Sequence, residues 1–115
     1  MNMSIKLDRL GHTFTEEISS VIQTEIRDTR IDFVTITYTK ISSDLSYAKV
    51  YFTVLDTNTK EEVESVLNNA SKFIRSKLFD RIEIRKMPEL TFVYDESIEY
   101  GNKIEHIINE IKKED

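Results

Sequence analysis

Between Ser71 and Met87 six bases, Lys72, Arg75, Lys77, Arg81, Arg85 and Lys86, stand against two acids, Asp80 and Glu83. Side chains three or four residues apart share a helix face, so such a run can concentrate positive charge and neutralise phosphates. The rest of the chain has the opposite sign. Its 115 residues hold 16 Lys and Arg against 21 Asp and Glu, a formal net charge of −5, and both Asp56–Glu64 and the stretch from Glu96 onward are net negative. Sequence-independent coating of nucleic acid relies on Lys and Arg, which this balance excludes. Any affinity for a polyanion must come from a local patch.

Other chemistry is sparse. His12 and His106 fall in separate segments without His-x-x-x-His or Glu-x-x-His spacing, so both read as surface residues and no metal is expected. Glu16-Glu17 and Glu61-Glu62 are adjacent on helices and point in different directions, which prevents them from facing one substrate as acid and base. No nucleophile motif, phosphate loop or dinucleotide fingerprint is present, and there is no cysteine. The expectation is a protein that is not an enzyme and takes no cofactor. Tyr47, Lys49 and Tyr51 form an aromatic–cation–aromatic row that could stack bases, although cross-strand packing against Thr35, Thr37 and Thr39 is the simpler account.

Hydrophobic periodicity supplies the scaffold. Leu7, Leu10, Phe14, Ile18, Val21, Ile22 and Ile26 recur at helical steps. From Phe33 to Ile41 the pattern switches to alternation, with Val34, Ile36 and Tyr38 on one face and Thr35, Thr37 and Thr39 on the other. Ser42–Ser46 reads as a turn, and Tyr47–Leu55 resumes alternation with Ala48, Val50, Phe52 and Val54 inward, completing a hairpin. Thr59-Lys60-Glu61-Glu62 matches a capping box. It opens a helical stripe of Val63, Val66, Leu67, Ala70, Phe73, Ile74 and Leu78, which passes through the weak helix formers of Asn68-Asn69-Ala70-Ser71 and predicts a kink there. Pro88 precedes a third strand, Glu89 to Tyr94. Asp95 or Ser97 can cap a last helix carrying Ile98, Ile104, Ile107, Ile108 and Ile111, with Gly101 inside it. Phe14, Phe33, Phe52, Phe73, Phe79 and Phe92 are spread over the elements and read as core.

The order is helix, strand, strand, helix, kink, helix, strand, helix: an α+β fold in one domain, residues 1–115, with a three-stranded sheet packed on helices. A strand, two helices meeting at a short irregular joint, and a further strand are the minimal KH unit; the helix and strand in front make it KH-like, type II. The first residues, Met1-Asn2-Met3-Ser4-Ile5-Lys6, lack an apolar signal segment, and no apolar run approaches the roughly 20 residues that span a bilayer, so a cytoplasmic monomer is expected.

Asp28-Thr29-Arg30, Val34-Thr35-Ile36, Ser43-Asp44-Leu45, Ala48-Lys49-Val50-Tyr51, Phe73-Ile74-Arg75, Leu78, Arg85, Pro88-Glu89-Leu90-Thr91-Phe92 and Asp95 fall in the order and spacing of the ribosome-binding factor A family, which the chain resembles over nearly its whole length. The mid-chain Phe-Ile-Arg followed by Pro-Glu-Leu-x-Phe is the specific part. The resemblance implies a cold-shock-linked assembly factor that binds the free or precursor small (30S) ribosomal subunit, assists late maturation and 5′-end processing of 16S rRNA, and leaves before translation. The family usually places Ala-x-Gly at the joint between the paired helices, where this chain reads Ala70-Ser71-Lys72.

A KH module clamps single-stranded nucleotides with a Gly-x-x-Gly loop, which this chain lacks. The expectation is instead that the joint Asn69, Ala70, Ser71 and Lys72 offers helix-terminal amides to a phosphate while Arg75, Lys77, Arg81, Arg85 and Lys86, with Arg30 and Lys49 nearby, neutralise its neighbours. The competing reading is an acidic protein-interaction module docking through its terminal helix and the hydroxyl-rich sheet face.

Overall fold

The first apolar stripe folds as one helix of 23 residues, α1 (Met3–Glu25), in a computed structural model that describes residues 3–97. Phe14, Ile18, Val21 and Ile22 are its buried ridge. They pack on β1 (Thr35–Ile41), the first strand of a sheet completed by β2 (Tyr47–Thr53) and β3 (Glu89–Tyr94) in the order β1-β2-β3. β1 and β2 pair antiparallel as the expected hairpin; β2 and β3 run parallel, joined by α2 (Lys60–Asn69) and α3 (Ser71–Leu78). This is the KH-like arrangement, with α1 and β1 ahead of the minimal unit. Ile36, Thr39 and Ile41 of β1, Ala48, Val50 and Phe52 of β2, and Leu90, Phe92 and Tyr94 of β3 are all buried, which puts the described helices on one face of the sheet. The expected final helix lies outside the described residues; at its start Asp95 accepts from the Ser97 amide at 3.0 Å, in the position foreseen for a cap.

The interface of α1 and β1 is unusually close. Gly11 is buried within the helix, and a Cβ there would stand 2.5 Å from the Thr39 carbonyl oxygen. Thr39, 2% exposed, is the polar residue that this approach buries, and its hydroxyl shares a 2.9 Å hydrogen bond with that of Thr15. Thr15 in turn donates to the Gly11 carbonyl at 3.0 Å or to Thr39, so each buried hydroxyl has a partner.

Strict alternation along the first strand is overturned by a β-bulge. Ile36 pairs with Phe52 but Tyr38 with Tyr51, so Thr37 is an extra residue and every position beyond it changes face. Tyr38 therefore turns outward, 45% exposed, and Thr39 inward. The row opposite Tyr51 and Lys49 is consequently Tyr38 and Lys40, not the threonines. Thr37 donates to Asp95 at 2.7 Å, tying the bulge to the end of β3.

The capping box at Thr59 does not form. Asp56 accepts from the Asn58 amide at 3.0 Å and starts a short 3-10 turn, Thr57–Thr59, that runs into α2. Thr59 thereby takes helical angles, φ −96° and ψ −2°, and its hydroxyl donates back to the Asp56 carbonyl at 2.7 Å. A capping side chain needs extended angles to reach forward. The phenylalanines also divide: Phe14, Phe52 and Phe92 are buried, whereas Phe33, Phe73 and Phe79 are exposed. At the hairpin turn Leu45 adopts φ 61°, a left-handed conformation that most side chains avoid, and its side chain packs against the core.

Gly11→Ala forces a methyl group against backbone. Although alanine favours an exposed helix by about 1 kcal/mol, overpacking of this kind costs more, and a net loss of roughly 1–2 kcal/mol is expected. Urea denaturation should show a lower midpoint at unchanged slope; a raised midpoint would mean that the helix can withdraw from Thr39.

Candidate nucleic-acid interface

The kink between α2 and α3 falls at Ala70, with φ −92° and ψ 1°. Its amide is shared between the carbonyls of Val66 and Leu67, both at 3.1 Å, and its carbonyl accepts from Ile74 at 2.9 Å. The bend thus falls two residues before position 72, where the family resemblance places a glycine; Lys72 itself lies within α3 and has no positive φ. Lys72 lies in the first turn of α3, where helix amides lack intrahelical partners and the dipole favours anions.

Ser71, Lys72 and Arg75 of α3 face Glu89, Leu90 and Thr91 of β3 across a groove of about 340 Å³. Among the described residues β3 is an edge strand, and side chains from the helix pair occupy part of that edge. Asn68 donates to the Phe92 carbonyl at 2.9 Å and accepts from the Phe92 amide at 2.8 Å. Glu64 accepts from the Tyr94 amide at 3.1 Å. On the other side Arg75 donates to the carbonyls of Met87, at 2.7 Å, and Pro88, at 3.1 Å. Backbone direction alternates along a strand, so Leu90 turns its N–H and C=O the same way as Phe92, into the groove between the two clasps. The groove combines an exposed cation, a helix N-terminus and one strand-edge donor–acceptor pair. That set suits a phosphate and the edge of an adjacent unpaired base.

The basic stretch does not converge as the sequence suggested. Arg75 is partly buried and anchors the entry to β3. Arg81 turns toward α1, donating to Ser20 at 2.8 Å and meeting Glu17 at 3.3 Å and Glu25 at 3.8 Å. Lys77 lies 3.9 Å from Glu25 and over the Phe73 ring. Arg30 is held by Asp28 at 2.6 Å. Asn69 and Ala70 line a different hollow, shared with Asp28, Arg30, Glu62 and Ser65. Lys86 donates to Ser46 at 3.0 Å, Arg85 is exposed, and Lys49 lies on the far face of the sheet. Of the expected residues, the structure brings together Ser71, Lys72 and Arg75. Glu89, Leu90 and Thr91, read in the sequence as strand and as part of the Pro-Glu-Leu-x-Phe motif but not as site residues, form the other wall of the groove.

The hydrogen bonds of the Arg30 side chain and then of its backbone amide hold the Asp28 carboxyl down at about 2 from an ordinary 3.8. Burial pushes the Asp95 carboxyl up, but hydrogen bonds from Ser97 and Thr37 outweigh it and leave the group below its ordinary value. Among the described residues no group of three or more His, Cys, Asp or Glu could hold a metal ion, and no helix is long and apolar enough to cross a membrane.

Residues 6–108 match the family model described as ribosome-binding factor A. A ribosome-binding factor A from Staphylococcus epidermidis is 46% identical over 114 residues, 97% of each chain. The crystal structure of the Thermus thermophilus factor superposes with a TM-score of 0.70 at 23% identity, covering 76% of this chain and 94% of that one. A putative ribosome-binding factor A of Thermotoga maritima, solved in solution, gives 0.68 at 27% identity, with 81% and 90% covered. The Thermus thermophilus coordinates fitted into the electron-microscopy map of a 30S complex give 0.58 at 24% identity, covering 77% of this chain and 90% of that one.

Arg75→Gln strips partners from two carbonyls and should lower unfolding stability by roughly 1–3 kcal/mol, whereas Lys72→Gln at an exposed position should stay within about 0.5 kcal/mol of wild type. Thermal unfolding of the two variants separates the clasp from the exposed cation. Because the Asp28 carboxyl is depressed in the folded state, its contribution is complete above an ordinary 3.8 and disappears as pH falls toward about 2. Stability curves of wild type and Asp28→Asn should therefore differ at neutral pH and converge across that window; a constant gap would show that the carboxylate charge is irrelevant.

Proposed function

The chain belongs to the ribosome-binding factor A family, and from that membership we propose that it binds the small ribosomal subunit, free or in assembly, by laying single-stranded 16S rRNA in the groove between α3 and β3. The observation that carries this reading is the juxtaposition of exposed Lys72 and the amides of α3 with the open backbone of Leu90. Phosphate contacts position the strand, and the donor–acceptor pair of Leu90 addresses a base edge. The relative fitted into a map of its 30S complex supports the choice of partner. Within that role, assistance to late maturation and 5′-end processing of the 16S rRNA, a demand that grows in the cold, and action as a cytoplasmic monomer are the finer parts of the proposal.

The groove reading revises the set of binding residues. Ser71 and Lys72 make the primary contact, Arg85 and Lys86 extend the positive field, and Arg75 shapes the groove by holding β3. Arg81 and Lys77 face the acids of α1 and contribute field more than contact.

Co-sedimentation of the protein with separated ribosomal subunits over a monovalent salt series tests the proposal. It should pellet with small subunits alone, with affinity falling steeply as salt rises. Lys72→Gln should weaken binding and reduce the log–log salt slope by about 0.7, the value for one phosphate contact on a single strand. An unchanged slope would remove Lys72 from the interface; pelleting with large subunits would overturn the choice of partner.

A further inference from the structure

Across the sheet from the groove lies a face that none of the described helices covers. The bulge at Thr37 turns Tyr38 and Lys40 onto it, beside Tyr47, Lys49 and Tyr51 of β2. The register sets Tyr38 opposite Tyr51, their ring centroids 6.0 Å apart, and Lys40 directly opposite Lys49. Tyr47 is 62% exposed and Tyr38 45%. Thr91 and Val93 of β3 continue the face beside Lys49 and Tyr51, and Glu89 stands next to Tyr47.

Two like charges directly opposite each other weaken a strand pair, and while Tyr38 and Tyr51 support each other as a cross-strand pair, Tyr47 is exposed and has no ring partner among the described residues. Neither Lys40 nor Lys49 is in an ion pair among the described residues. The arrangement is a cost to stability unless an anion bridges the two ammonium groups. Tyr47, Lys49 and Tyr51 project from the same side of one strand at intervals of about 7 Å, two residues of extended chain each. A single-stranded nucleic acid presents both things this row could use, a flat π-face and a negative charge on successive units. An acidic peptide supplies charge without the ring. A membrane surface would call for apolar side chains that can insert, and this face has hydroxyls and ammonium groups.

We infer that the open sheet face centred on Tyr38, Lys40, Tyr47, Lys49 and Tyr51 is a second surface for single-stranded RNA, with unpaired bases stacked on the tyrosines and a phosphate held between the two lysines. It is distinct from the α3–β3 groove, lying on the opposite side of the sheet, and the two can be tested separately.

The test uses the full chain and a labelled oligouridylate of about 12 nucleotides, within the length range that single-strand-binding folds occupy. Binding is followed by fluorescence anisotropy at low and moderate salt. Tyr47→Ala should weaken binding about tenfold and Tyr47→Phe should restore it, since stacking needs the ring and not the hydroxyl. Lys40→Glu should weaken binding while raising the thermal midpoint, because it sets opposite charges across the strand pair. The chain has no tryptophan, so its tyrosine emission should also be quenched by the RNA, and less so in Tyr47→Ala. Wild-type affinity in both Tyr47→Ala and Lys40→Glu would overturn the inference even if Lys72→Gln binds weakly, a result that would leave the groove standing alone.

Discussion

The pair of hydrogen bonds between the Asn68 side chain and the backbone of Phe92 is the constraint on which the α3–β3 side of this fold rests. A parallel strand at the edge of a sheet is held by β2 on one side only. Here α2, the first helix of the pair between β2 and β3, also grips it, with Asn68, 24 residues away in sequence, both donating and accepting. Glu64 repeats the grip at Tyr94, and Arg75 does so from α3 at Met87 and Pro88. Helix pair and strand thus form one rigid angle, and the groove is the inside of that angle.

The other half of the molecule is set by the close approach of α1 to β1. Gly11 lets the helix touch the strand backbone, the threonine pair satisfies the polar groups buried there, and the bulge at Thr37 reverses the side chains beyond it. The bulge has effects on both faces. It brings Thr39 inward to meet Thr15, and it turns Tyr38 and Lys40 out to join the residues of β2.

Much of this was legible in the sequence wherever one element decided the outcome. The stripe of α1, the alternation of β2, the kink near Ala70 and the strand after Pro88 depend on periodicity and local propensity, and they appear where those predicted. What stayed hidden depends on partners far along the chain. Asn68 looked like a weak helix former and is a clasp for Phe92; Arg75 looked like a phosphate ligand and holds two carbonyls. Thr59 matched a capping box, yet Asp56 three residues earlier started a 3-10 turn that spent its hydroxyl. The extra residue in β1 could not be seen because isoleucine, threonine and tyrosine all tolerate either face of a strand. At the site, charge alone suggested a continuous basic surface, whereas acids on α1 face Lys77 and Arg81.

The occupied edge of β3 also limits what kind of polymer can enter the groove. An extended peptide recognises a sheet edge by adding a strand, which requires a series of free amides and carbonyls at alternate residues. Asn68 takes both groups of Phe92, and Glu64 takes the amide of Tyr94, leaving Leu90 as an isolated pair. One pair is too little to template a strand, so the protein is shielded at this edge from pairing with its own copies. It is nonetheless enough for a single planar ring with a donor beside an acceptor. The same side chains that tie the helix pair to β3 therefore leave the groove unsuited to taking up a polypeptide as an added strand.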